Sequence, residues 1–209
     1  MPGSASLLGF TIAALIVLLI PGPGVLYVVT RSLSQGQRAG LVSVLGLSLG
    51  ALAHVAAATL GLSALLLASA TAFDVVKMLG ASYLIYLGIR AIFAKPVSAA
   101  IGATTPRSFQ RLFVDGVIVS VLNPKIAMFF LAFLPQFVEP NRGPVPAQVL
   151  FLGVLYVALA IVTDGAYALL AARLRRFLGT RVAQGPLPQY ASGVVYLGLG
   201  VSTALTDRR

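Results

Sequence analysis

The chain has 209 residues, 58% of them hydrophobic and only 10% charged, with a mean hydropathy of +0.97; a soluble domain that apolar lacks the polar shell needed to stay dissolved, so its solvent is a lipid bilayer. It contains no Cys and a single His, which excludes disulfide and thiol chemistry and most histidine-based metal sites. The net charge of +10 comes from Lys and Arg in short links between apolar blocks, so it carries topology information and does not form a nucleic-acid surface.

The apolar blocks are roughly 17 to 25 residues long, the length that about 30 Å of hydrocarbon requires of a helix, and six of them fill the chain. The first runs from about Leu7 to Thr30 and is interrupted by Pro21-Gly22-Pro23-Gly24. The start of the chain lacks a basic leader and a small-residue cleavage site before Pro21, so it reads as a retained span. Arg31 and Arg38 follow in a short polar loop, and the second span covers about Ala39 to Leu67. The third is about Val75 to Phe93, and 95–111 forms the longest polar connection. The fourth, about Leu112 to Phe137, is broken at Asn123-Pro124. The segment from Glu139 to Pro146, with Pro140, Gly143 and Pro144, reads as a rigid external turn. The fifth span is about Ala147 to Ala172 and the sixth about Tyr190 to Leu205.

The first, third and fifth connections hold Arg31, Arg38, Arg90, Lys95, Arg107, Arg111, Arg173, Arg175, Arg176 and Arg181, whereas the second and fourth hold only Lys77 and Arg142. The positive-inside rule then makes the odd connections cytoplasmic and puts both termini outside.

Three spans, a basic link and three more spans give halves of opposite orientation, an all-α bundle of two inverted three-helix repeats, 1–94 and 112–209, joined by the linker 95–111 in a single transmembrane domain. Spacing supports this. Phe10 precedes Pro21 by eleven residues and Phe113 precedes Pro124 by the same eleven, each proline breaking the first helix of its half. Tyr86-Leu87-Gly88 matches Tyr196-Leu197-Gly198, and thirty-two residues before each tyrosine stand His54 and Asp164.

A proline inside a spanning helix frees backbone groups at membrane depth, and these need protein, water or a ligand as partner. Asn123 suits a helix N-cap and Pro124 the first helical position, so a new half-helix starts there, its positive end and Lys125 suited to a carboxylate. Pro21, Gly22, Pro23 and Gly24 should do the same in the first span, the glycines admitting a solute close to the backbone. The alternative is that both breaks are structural kinks. Asp164, at mid-helix, is the candidate for a substrate amine or a proton; His54 either relays protons or bonds a backbone carbonyl. Asp115 stands one turn from Arg111 and reads as a structural ion pair. The small residues Gly40, Gly46, Gly50, Ala53, Ala57 and Gly61 read as a helix-packing stripe.

The Pro-Gly-Pro break followed by Leu26-Tyr27 and the Arg31 to Gly40 loop, the block Leu122-Asn123-Pro124-Lys125, and the run from Phe130 through Leu134-Pro135-Gln136-Phe137 resemble the lysine exporter and homoserine/threonine exporter (LysE/RhtB-type) family. The Asp164 helix, with Arg173-Leu174-Arg175-Arg176, and the glycine-rich last span are similar to it too. One departure stands at Gly24, where the family often carries Asn or Asp. The resemblance implies a bacterial inner-membrane protein that expels amino acids or related small solutes on the proton gradient, with no cofactor, no resident metal and no catalytic residue. Its partners would be the solute, the bilayer and, for so small a transporter, further copies of itself. The expected mechanism is alternating access, with the solute carboxylate at Gly22 to Gly24 and Asn123 to Lys125, its ammonium at Asp164, and proton uptake at Asp164 aided by His54. The alternatives are export of another solute or a cation, which calls for carboxylates gathered on one face, and an intramembrane enzyme, which calls for a nucleophile and base or a metal cluster.

Overall fold

A computed structural model describes residues 1–68 and 107–178, together with the isolated helical positions Val75, Met78, Ser82, Tyr86 and Ile89. The third and sixth spans, their Tyr-Leu-Gly tripeptides and the link between the halves therefore lie largely or wholly outside the described residues. What is described is all helix: α1 (Ser4–Leu19), α2 (Pro23–Gln35), α3 (Gln37–Ala68), α4 (Phe109–Val121), α5 (Pro124–Met128) and α6 (Val145–Leu178). Between α5 and α6 lie a π-helical turn, Phe129–Phe133, and two 3-10 turns, Leu134–Phe137 and Pro140–Arg142.

Two stretches, Gln37–Gly61 and Val145–Leu174, are long and apolar enough to cross a bilayer unaided. Two more spans arise if each bent pair is one crossing: α1 and α2 meet at 52°, and α4 meets the Pro124–Phe137 segment at 44°. Both bends fall where sequence puts the prolines. Pro23 and Pro124 open the helices that follow, a position where the missing N–H costs nothing.

Several boundaries differ from the sequence reading for the same kind of reason. The Arg31 to Gly40 loop contracts to Gly36, whose φ of 89° suits glycine alone, so Arg31 belongs to α2 and Arg38 to α3. Arg111 sits in α4 and Arg173 in α6. The proline-rich 139–146 turn is shorter than its composition suggests, because Pro146 falls in the first turn of α6, where proline is tolerated.

In the first broken rod α1 packs against α6 and α2 against both α3 and α6; in the second, α4 packs against α3; and α3 also packs against α6. The α3–α4 contact is made by small residues. A Cβ on Gly46 would stand 2.2 Å from the Phe113 carbonyl oxygen, and one on Gly50 2.5 Å from Ser120 Cβ, so the two backbones nearly touch. The stripe ends there: Ala53, Ala57 and Gly61 are exposed, and Gly61 has open space around it.

The end of the bundle near Ser4 is filled by rings. Phe10 lies 5.7 Å from Phe129 and 5.5 Å from Phe137, and Tyr156 lies 4.7 Å from Phe129 and 5.2 Å from Phe130. Pro135 cannot donate to the turn before it, and around it the chain leaves α geometry for π and then 3-10 turns, which turn these rings inward. A polar clasp closes the same end. Glu139 accepts from the Gly3 amide and the Ser6 hydroxyl and pairs with Arg142. Gln148, 1% exposed, holds the Glu139 backbone from both sides and reaches the Gly143 carbonyl.

Two outcomes are expected. Gly46→Ala forces α3 off α4 at a cost of about 1–3 kcal/mol and lowers the melting temperature, whereas Gly61→Ala, with open space and better helix propensity, leaves it unchanged or raises it; thermal unfolding of the two purified variants checks this. The Glu139 carboxyl is held below its ordinary value of 4.5 first by the Ser6 hydroxyl, then by the Gly3 amide and Arg142. Its contribution to stability is therefore present in full above that value and lost as pH falls through the lower folded value. Glu139→Gln should melt below the parent at neutral pH and match it in strong acid, read by thermal unfolding across pH.

Candidate functional site

The two breaks meet. At the first, the chain leaves α1 at Leu19 and starts α2 at Pro23, so the carbonyls of Leu19 and Ile20 lose the amides that would have followed them. Each finds a side chain from the other half: Tyr167 of α6 donates its hydroxyl to Leu19 O at 2.7 Å, and Lys125 Nζ donates to Ile20 O at 2.7 Å. At the second break, the Asn123 side chain accepts the Lys125 amide at 3.0 Å, capping its own half-helix. The start of α2 has no such side-chain cap, and its first amides stand beside a cavity.

That cavity lies where α2, α3, α4 and α6 converge on the breaks. Gly22, Gly24 and Val25 line it from the first break, Ser120, Asn123 and Lys125 from the second, Leu47, Ser48 and Ala51 from α3, and Tyr156, Ala160 and Asp164 from α6. The α6 residues recur at intervals of four and so share one face. About 40 Å³ is open to the centres of water molecules, room for roughly three waters.

Of the residues singled out from sequence, Gly22, Gly24, Asn123, Lys125 and Asp164 share this cavity. Pro21, Pro23 and Pro124 make the bends without lining it. Lys125 is 6% exposed; its ammonium is turned to the first break and not left beside its own helix start. No hydrogen bond or ion pair reaches the Asp164 carboxylate among the described residues, and it faces the cavity that Lys125 also lines. His54 stands one layer back: its Nε2 lies 3.1 Å from the Ser120 carbonyl, and its ring stacks on Phe130 with centroids 6.4 Å apart. Ser120 thus separates His54 from the cavity, and the Ser120 hydroxyl is buried with no partner. Asp115 pairs with Arg111 at 3.2 Å and with Arg107, away from the cavity, as its spacing suggests.

Sequence reasoning missed Ser48 and Ser120. Single hydroxyls in apolar helices give no signal by themselves, although Tyr156, Ala160 and Asp164 could have been read as one face of α6 once Asp164 was chosen. No group of three or more His, Cys, Asp or Glu side chains able to hold a metal occurs among the described residues.

The chain is 35% identical to the homoserine/homoserine lactone efflux protein of Salmonella typhimurium over 160 residues, 77% of each chain. It is 25% identical to the leucine efflux protein of the same species over 196 residues, 93% of this chain and 92% of that one. An uncharacterized membrane protein of Vibrio cholerae is 33% identical over 171 residues, 82% of this chain and 83% of the relative. No solved structure matches the chain significantly. The profile of the LysE type translocators matches residues 15–206, nearly the full length and both breaks, and the chain belongs to that family of membrane transporters.

Proposed function

We propose that this protein exports amino acids across the bacterial inner membrane by alternating access, driven by the proton gradient. The observation that carries the reading is the cavity at the crossing of the two breaks, where one carboxylate, Asp164, and one ammonium, Lys125, line the same space beside the uncapped start of α2. Such a pair of opposite charges suits a zwitterion better than a bare cation, which needs several oxygens gathered around it. The efflux relatives, named for homoserine and leucine, support amino acids as the solute class. A translocator moves its solute unchanged, so no enzyme chemistry is invoked.

The solute carboxylate binds the Gly24 and Val25 amides at the positive end of α2, with Lys125 alongside. Its ammonium binds Asp164. Protonation of Asp164 removes the charge that holds the ammonium and favours release outside, with His54, one layer behind Ser120, as the group that aids proton uptake. Asn123 positions Lys125 by capping its half-helix.

Two inverted three-helix repeats frame this motion. The bends of 52° and 44° at matching prolines support the repeat. The odd, basic connections face the cytoplasm and both termini face outward, which puts the aromatic packing and the Glu139 clasp on the outer side.

Efflux from preloaded cells or everted vesicles, measured over a panel of amino acids, tests this. Asp164→Asn and Lys125→Gln should each reduce export at least about tenfold, the scale of losing one partner of a buried charged contact. Variants that export every solute as fast as the parent would remove the proposed site.

A further inference from the structure

Two turns along α2 from the cavity is a buried cation that no described carboxylate pairs with. Arg31 is 8% exposed, and its Nε and Nη1 are buried with no acceptor. The hydroxyl of Ser32 beside it is also buried and unpartnered. The guanidinium carbon lies 5.5 Å from the centre of the Tyr27 ring, and the Tyr27 hydroxyl is fixed on the Leu112 carbonyl at 2.7 Å. Ring contact orients a guanidinium; it does not supply the counter-charge that a buried cation needs.

Nor does a described acid. The sequence has five acidic residues. Asp115 is held by Arg107 and Arg111, Glu139 is clasped to Arg142, and Asp164 faces the cavity. Asp74 and Asp207 lie outside the described residues. Meanwhile Gly24, Val28 and Arg31, at i, i+4 and i+7, form one buried face of α2, which runs from the cavity to this guanidinium over about 10 Å at 1.5 Å per residue.

We propose that Arg31 is a second binding point for the carboxylate of the transported amino acid, occupied when the inner end of the bundle opens, before the solute reaches Asp164. The inference rests on the amino-acid reading above. A guanidinium grips a carboxylate through paired N–H donors, a geometry that a lysine ammonium does not reproduce. The unpaired charge at rest is then the cost of keeping that point vacant between solutes.

The experiment uses the full chain, purified for thermal unfolding and reconstituted in proteoliposomes for transport, with an amino acid and the amide of the same amino acid as solutes. Arg31→Met removes an unpartnered buried charge, so it should melt at the parent temperature or about 3 °C or more above it. It should also narrow the preference for acid over amide about tenfold by raising the half-saturating concentration of the acid. Arg31→Lys should fall between the two proteins. A lower melting temperature with both solutes impaired equally would mean a structural arginine, and an unchanged preference would mean that the carboxylate never visits it; either overturns the inference. A parent that carries no amino acid at all would overturn the amino-acid reading itself.

Discussion

The hydrogen bond from Lys125 to the Ile20 carbonyl joins the two places where this chain cannot finish its own helices. A carbonyl without a donor is expensive in lipid, and a lysine at that depth is more so. Each answers the other across 105 residues of sequence. Around this bond the first rod breaks, the second rod breaks beside it, and α6 adds Tyr167 to the neighbouring carbonyl. The cavity is the space that these bends leave.

From there the molecule divides along its length. On the Glu139 side of the breaks, Phe10, Phe129, Phe137 and Tyr156 fill the interior, and a clasp of backbone and carboxylate bonds ties α1 to the turn before α6. On the other side α3 meets α4 through small residues at Gly46 and Gly50, and Arg31 is buried against the Tyr27 ring with no carboxylate paired to it among the described residues. One end is packed by aromatic contact and the other by backbones in close approach. The π and 3-10 turns of 129–137 supply a segment whose hydrogen bonding is already irregular, the kind of place where a rod can rebend at low cost.

Much of this was legible beforehand because proline acts locally. Pro21 to Pro23 and Pro124 mark the breaks wherever the chain folds, and Asn123 announces the start of a half-helix. Asp164 stands out as an isolated charge in an apolar run, and Asp115 found the Arg111 partner that i, i+4 spacing offers. Contacts made at long range were not legible. Nothing in the sequence around Lys125 points to Ile20; the cap expected of Asn123 is there, and the helix start left without a side-chain cap is that of α2. Arg31 was read as a loop residue because it follows an apolar block; one glycine at 36 turns the chain so tightly that α2 extends past it. The π turn depends on how the phenylalanines pack around Pro135, which no periodicity encodes. The matched spacings of the prolines are met by two bends, of 52° and 44°, while the third and sixth spans that would complete a repeat lie largely or wholly outside the described residues.

Binding of three solutes to the purified protein, by calorimetry, bears most directly on the claim that the crossed breaks hold a zwitterion: an amino acid, the amine left by removing its carboxylate, and the acid left by removing its amine. Loss of either charged group should weaken binding at least about tenfold, the scale of one charge-assisted contact in a buried site. An amine or an acid that binds as tightly as the parent amino acid would contradict it.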